Sequence, residues 1–279
     1  MIGAQELLGV ARDRIGLKPV LSAPKIEALL RALPADDRHA YCRDLVASDP
    51  DARAWRMFTE ALLVHETYFF RHPDQLRLLA DVLLPRLLQD RLDAGSREVR
   101  IWCAGCSSGE EVYTLALLLQ TAIAASALPS EQSWNATILG TDVSAPTIDL
   151  ARRGCYPVVA GLNSFRDVPE FARHYFGAIF SAAETAWSAG AELRRLTRFA
   201  QHNLVTDPPA FMDVDLVVCR NTLIYFDEAQ SRFALASLEA ALRPAGTLLL
   251  GPAEVASEAS CLRMVCTDQA VFWTKRAAQ

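Results

Sequence analysis

The sequence predicts an α/β fold: a mostly parallel sheet of the dinucleotide-binding type, with an all-helical domain before it and a small antiparallel insertion within it. Three observations predict this. Apolar strand patterns alternate with helical ones from Val99 onward, no strand pattern precedes Val99, and the first strand runs straight into a glycine turn and a helix start.

Taken in order, residues 1–75 read as helical. Ile26, Leu29, Leu30 and Leu33 fall at i, i+3, i+4, i+7, and Pro34 stops that helix. A connecting helix follows over 73–92, giving a helical N-terminal domain (1–75) and an α/β domain (76–279). Strands are predicted at 99–104, 136–142, 197–203, 214–220 and 246–251, and a closing hairpin over 262–275 adds an antiparallel edge. Helices are predicted at 109–126, 145–153 and 228–242, the last with Leu235, Leu238 and Leu242 on one face. Strands separated by helices make a sheet covered on both faces. Between 156 and 200 the rhythm breaks into a loop with Gly161 and Asn163, a helical turn near Pro169–Phe176 and short strands. This segment reads as the antiparallel insertion.

The richest stretch is Val99–Thr114, VRIWCAGCSSGEEVYT. Gly105 and Gly109 supply backbone without side chains where the chain turns and a ligand comes close, and Val112, Leu115, Ala116 and Leu119 mark the apolar face of the helix that follows. Gly-x-x-x-Gly departs from the pyrophosphate fingerprint, and Glu110 and Glu111 occupy the helix start where a phosphate would sit. Two carboxylates repel a phosphate and attract an ammonium or sulfonium group. S-adenosylmethionine meets that requirement, whereas NAD and ATP do not. An ordinary tight turn accounts for the glycine pair alone equally well.

Composition removes several classes. The formal charge of −5 gives no global basic field, so nucleic acid is not an expected partner. No segment reaches the roughly 18 uninterrupted apolar residues of a membrane helix, and the N-terminus lacks a secretory pattern. A cytoplasmic protein that is not membrane-embedded is expected. Seven cysteines without regular spacing agree with a reducing compartment. Cys103-x-x-Cys106 has no second pair, and the histidines (His39, His65, His72, His174, His202) have no ligand spacing, so no metal is expected.

Further along, Asp142 ends the second strand, ahead of Ser144 as a helix N-cap and Gly154 as the helix stop. An acid there is placed to accept from both ribose hydroxyls, although a solubilising strand-end acid fits the position too. Arg220 and Asn221 form the polar end of the strand that begins at Val214, at the rim where ligands bind in open α/β sheets, with Tyr225 and Phe226 just beyond. A surface ion pair and a helix cap are the alternatives there. Glu66–Arg71, ETYFFR, joins three aromatics to Arg71, and a packed cluster between domains explains it as readily as a site does.

Together HETYFFR (65–71), WCAGCSSGEEVYTLAL (102–117), GTDVS (140–144), ARRGCY (151–156), AQHNL (200–204), VVCRNTLIYFD (217–227) and LRPAGTLLLGPAE (242–254) resemble, in order, the motifs of CheR-type chemotaxis methyltransferases. The resemblance covers roughly residues 10–275. It implies a Rossmann-like, S-adenosylmethionine-dependent protein-glutamate O-methyltransferase that leaves S-adenosylhomocysteine as product. Its implied substrate is the cytoplasmic domain of a methyl-accepting chemoreceptor. Carried over by motif, Thr67 and Arg71 would contact the cofactor from the N-terminal side, Glu110 its methionine end and Asp142 its ribose. Asn203 and Leu204 would flank the adenine, Arg220 and Asn221 would complete the pocket, and Tyr225 would stand nearest the methyl group. Tyr225 and Arg71 are thus the implied catalytic residues, and a monomer is expected.

Two departures from that pattern stand out. His65 occupies a position where the family usually has Asn, and an imidazole lacks the amide's paired donor and acceptor. The family's N-terminal domain is usually basic, yet residues 1–75 hold ten Lys or Arg against eleven Asp or Glu, a net of −1. A different acceptor, small molecule or protein, therefore stays open beside the receptor, as does a non-catalytic S-adenosylmethionine-binding scaffold. In the insertion, which corresponds to the family's small β-subdomain, Arg194, Arg195 and Arg198 suit either a peptide tether or a solvated basic edge.

Overall fold

A computed structural model describes residues 3–50, 52–126, 133–158, 163–180, 185–256 and 261–276. Gly161, expected in the insertion loop, lies outside these residues. Four helices open the chain: α1 (Ala4–Ile15), α2 (Pro19–Ala32), α3 (Asp37–Ala47) and α4 (Arg53–Leu62). Trp55, Phe58, Thr59 and Leu62 are the buried residues of α4, spaced one turn apart, and they meet Leu7, Ala11 and Ile15 of α1 in a separate small core. Leu33 turns extended ahead of Pro34, as the clash with the proline ring requires.

The helical reading of 1–75 fails over 63–72. Leu63 is already extended, and the segment crosses to the second domain without a helix. The reason is tertiary: Phe69 and Phe70, both buried, pack among the aromatics of the insertion, with the Phe69 ring about 5 Å from those of Tyr156, Phe165, Phe176 and Trp187. The connecting helix is α5 (Pro73–Leu78) and α6 (Leu84–Asp93), joined by a π turn over Leu79–Leu83.

A seven-stranded sheet follows, ordered β5-β2-β1-β6-β7-β9-β8. Its parallel strands are β1 (Glu98–Ala104), β2 (Asn135–Asp142), β5 (Thr197–Gln201), β6 (Val214–Cys219) and β7 (Leu242–Leu250). The closing hairpin, β8 (Leu262–Cys266) and β9 (Val271–Lys275), adds its antiparallel edge through β9 against β7. Helices α7 (Glu110–Ala125), α8 (Ala145–Arg153) and α10 (Glu228–Ala241) make the crossovers, and a short α9 (Ala191–Leu196) ahead of β5 was not expected. In the insertion, β3 (Cys155–Pro157) pairs antiparallel with β4 (Ala186–Ser188).

The α8 boundaries match the sequence reading because both caps form. The Ser144 hydroxyl accepts from the Thr147 amide, and Gly154 takes the left-handed conformation. The strand order places the carboxyl ends of β1, β2 and β6 side by side, and there the helical domain leans against the sheet. Leu17 makes an isolated antiparallel bridge with Phe226, while the Lys18 amide donates to the Tyr225 carbonyl at 2.8 Å. Gly16 sits at this junction with φ +76°, and a Cβ there would lie 2.6 Å from Val205 and 2.9 Å from Phe226.

Candidate functional site

The cavity between the sheet's carboxyl rim and the helical domain gathers residues from six segments. Ile15, Leu17, Leu21 and Lys25 form the helical wall, and the 62–71 crossing forms a second. The loops after β1, β2, β5 and β6 supply the rest. Of the residues singled out from sequence, His65, Thr67, Arg71, Asp142, Asn203, Leu204, Arg220, Asn221 and Tyr225 all line this cavity.

Glu110 does not. Its nearly buried carboxylate accepts from the Ser164 and Ser108 hydroxyls, at 2.7 and 2.8 Å, and faces an adjoining hollow with Ser164 and Arg166. Burial raises its pKa, against the pull of those two hydroxyls. Its neighbour Glu111 lines the main cavity instead, with Oε1 2.6 Å from Arg220 Nε. Adjacent helical residues point about 100° apart, so a glutamate pair read as one unit divides between two faces.

Asp142 ends β2 with both carboxylate oxygens engaged: Oδ2 accepts the Ser107 amide at 2.8 Å and Oδ1 the Ser144 amide at 3.0 Å. Burial raises its pKa, opposed by those amides, yet each oxygen keeps a lone pair for a ligand hydroxyl. Close by, Glu60 of α4 accepts from the Ser144 hydroxyl at 2.9 Å and lies 3.2 Å from His65 Nε2. Glu60 therefore bridges the helical domain to the turn after β2 and holds His65 beside it.

Arg220 is buried, and its Nη2 donates to the Arg71 carbonyl at 2.7 Å. Its Nε makes the short ion pair with Glu111 out of hydrogen-bond alignment, and its Nη1 has no partner. Arg71 Nη1 donates to the Glu66 carbonyl at 2.8 Å, and its buried Nε is likewise unpartnered. Tyr68, one of the three ETYFFR aromatics, has the Arg71 and Arg166 guanidiniums over its ring, 5.6 and 4.4 Å from the ring centre. Asn203 spends its amide on the Arg14 carbonyl and the Val205 amide, so it joins α1 to the rim.

Asn221 holds φ +56° and accepts from His72 Nε2 at 2.9 Å, with His72 itself at φ +59°. Burial and the neighbouring Arg220 lower the His72 pKa, which leaves the ring neutral with Nε2 as donor. Ser107, also left-handed at φ +48°, lines the cavity with an unpartnered buried hydroxyl. Such strained residues persist where surrounding contacts over-determine them, commonly at ligand sites. Burial also raises the Tyr225 phenol pKa, against the nearby Arg71, so it remains a donor at neutral pH.

Cys103 and Cys106 are buried thiols whose pKa burial drives well up, which makes them packing residues. Among the described residues no three His, Cys, Asp or Glu side chains gather as a metal set, and no helix is long and apolar enough to cross a membrane.

A cavity at the carboxyl ends of parallel strands, with an acid after the second strand and glycines at the first turn, defines a nucleotide-cofactor α/β protein. The chain belongs to the CheR methyltransferase family: residues 65–271 match its model, described as "CheR methyltransferase, SAM binding domain". Over 237 residues it is 31% identical to a probable chemotaxis protein methyltransferase of Rhizobium etli, covering 85% of this chain and 84% of that one. It is 30% identical over 196 residues to a chemotaxis protein methyltransferase of Borreliella burgdorferi, covering 70% of this chain and 66% of the relative. An uncharacterized 104.1 kDa protein from the hypE 3′ region of Rhodobacter capsulatus is 37% identical over 195 residues, 69% of this chain and 19% of its own length.

The residues present fit S-adenosylmethionine. Arg71 Nε, Arg220 Nη1, Ser107 Oγ and His202 Nδ1 are buried polar atoms without partners, all on residues that line the cavity. Gly105, at φ +76°, has no room for a Cβ, which would meet the Thr222 hydroxyl at 2.2 Å.

Proposed function

We propose that this chain is an S-adenosylmethionine-dependent protein-glutamate O-methyltransferase, acting on the cytoplasmic domain of a chemoreceptor-type signalling protein. The observation that carries this reading is the cavity itself, where Arg71, Asp142, Arg220 and Tyr225 converge from three segments with unpartnered donors beside an acidic wall.

The bound cofactor supplies an electrophilic methyl group on a cationic sulfur. A glutamate side chain, with an ordinary pKa of about 4.3, is already an oxyanion at neutral pH, so no residue need act as base. Positioning is what remains for the protein, by holding carboxylate oxygen, methyl carbon and sulfur in line. Asp142 accepts the ribose hydroxyls. Glu111 on the cavity wall, with Glu110 behind it, sets negative charge against the cofactor's cationic end. Thr67, His65, Arg220 and Asn221 close the pocket around it, and Asn203 and Leu204 flank the adenine. Tyr225 orients the reacting groups through its phenol, and Arg71 uses its free Nε on the incoming carboxylate or on the cofactor.

In this reading residues 1–75 dock the substrate, 76–279 carry the chemistry, and the protein works in the cytoplasm as a monomer. The near-neutral charge of residues 1–75 favours a second acceptor class, because it gives only a weak steering field toward acidic receptor helices.

Incubation with labelled S-adenosylmethionine and membranes from the source organism tests the proposal. Base-labile label on a receptor-sized band is the expected result. Label on another acceptor supports the second reading, and tight cofactor binding without transfer identifies a scaffold.

A further inference from the structure

Beyond the cavity wall lies a buried carboxylate to which neither the site assignments nor the mechanism gives a role. Glu254 follows β7 and is 6% exposed. Its Oε2 accepts the amides of Gly251 at 2.7 Å and Asn221 at 2.9 Å. Its Oε1 accepts those of Thr222 at 2.8 Å and Ile224 at 3.1 Å. Three of these four donors belong to the loop after β6, which carries Arg220, Asn221 and Tyr225. The next two amides of that loop, Tyr225 and Phe226, bond to the Thr222 and Leu223 carbonyls in a tight turn.

We propose that Glu254 is a positioning residue of this cavity: one carboxylate fixes the backbone of the 220–225 loop and thereby the places of Arg220, Asn221 and Tyr225 around the cofactor. The inference rests on the methyl-donor reading of the cavity. Asn221 is held left-handed, a conformation that costs energy for a residue with a Cβ, and the bonds from its own amide and the next one to Glu254 offset that cost. Gly251 completes the arrangement, because a Cβ there would lie 2.6 Å from Glu254 Oε2 and 2.8 Å from the Asn221 amide. The carboxylate thus sits in space that only glycine leaves open.

Glutamine is no conservative replacement at this position. Each oxygen takes two N–H donors, so whichever way the amide turns, its NH2 group faces two donors. Aspartate keeps both oxygens and the charge but retracts them by one methylene.

The test uses the full chain, S-adenosylhomocysteine as probe, and amide hydrogen exchange. In Glu254→Gln the amides of Asn221, Thr222, Ile224 and Gly251 should lose protection, and the dissociation constant for the probe should rise about tenfold in the folded fraction. Glu254→Asp should fall between wild type and Gln. For Glu254→Ala, added formate should refill the four-amide cradle and recover affinity, which chloride at equal ionic strength should not do. Where Gln or Ala does not fold, the Asp variant decides: probe affinity equal to wild type overturns the proposal. So does a Gln variant that binds as wild type does, or one that loses melting temperature alone. Failure of the wild-type chain to bind the probe overturns the methyl-donor reading instead.

Discussion

The two ends of β6 bury one charged residue each, and they treat it in opposite ways. At the amino end both oxygens of the Asp215 carboxylate, which has no exposed surface, have donors. Oδ2 accepts the Arg100 amide at 2.8 Å and Arg91 Nη2 at 3.3 Å, and Oδ1 accepts Arg243 Nε, while Arg91 Nε lies close by at 2.7 Å out of hydrogen-bond alignment. Just past the carboxyl end Arg220 is as deeply buried, yet its ion pair with Glu111 is misaligned and one terminal nitrogen has no partner. A buried charge costs heavily unless its bonds are completed. At the amino end the carboxylate's two oxygens are both satisfied within the fold, whereas at the carboxyl end a terminal guanidinium nitrogen of a cavity residue is left open toward a ligand. The same strand therefore carries a structural ion cluster at one end and an incomplete, ligand-accepting one at the other.

The largest effect should come from breaking the completed end. Asp215→Ala strands two arginines and should cost about 3–5 kcal/mol in urea unfolding, with S-adenosylhomocysteine affinity of the folded fraction unchanged. At the open end, Tyr225→Phe should lower methyl transfer by roughly tenfold or more while cofactor affinity stays near wild type. A large loss of cofactor binding would move Tyr225 into the binding class. Arg220→Lys keeps the charge but loses the planar fork. It should weaken cofactor binding by about five- to tenfold in calorimetry and change stability by less than about 1 kcal/mol.

The smallest effect is in pH. In the proposed reading Asp142 accepts both ribose hydroxyls as a carboxylate, and burial raises its folded pKa above the ordinary 3.8, so affinity should rise with pH through that raised value. Without ligand the sign reverses. Asp142 and Glu110 hold protons more tightly folded than unfolded, so their stabilisation is complete below the unfolded values and is lost as pH climbs through the raised ones. Melting curves with and without S-adenosylhomocysteine across the mildly acidic range should diverge accordingly.

Much of this was legible in the sequence where one local signal decides the outcome. The run of β6 reads as a strand buried on both faces, and Ser144 and Gly154 bracket α8 because each cap is set by its own residue type. Asp142, Arg220 and Asn221 were legible as strand-end positions, which the topology brings together, whereas His65, Thr67, Asn203 and Leu204 were singled out only through the family resemblance. What escaped depends on three-dimensional phase or on distant partners. No local pattern says that Glu111 rather than Glu110 faces the main cavity. The extended 63–72 crossing is dictated by aromatics nearly a hundred residues later, and the π turn at Leu79–Leu83 has no composition of its own. Glu254 closes the LRPAGTLLLGPAE motif, yet its role was illegible because its partners are backbone amides, whose positions no side chain spells out.

The Gly16 junction limits how far this architecture can be rearranged. Helices α1–α4 have their own core and look like a detachable module, yet a single methyl group at position 16 would collide with Val205 and Phe226, beside the strand bridge that reaches Tyr225. A chimera carrying another protein's front helices would need a glycine at this point and a matching 203–206 and 223–226 surface to receive it. The front helices and the Tyr225 loop are thus inherited as one unit, and recombination between relatives should preserve activity only when the crossover spares that seam.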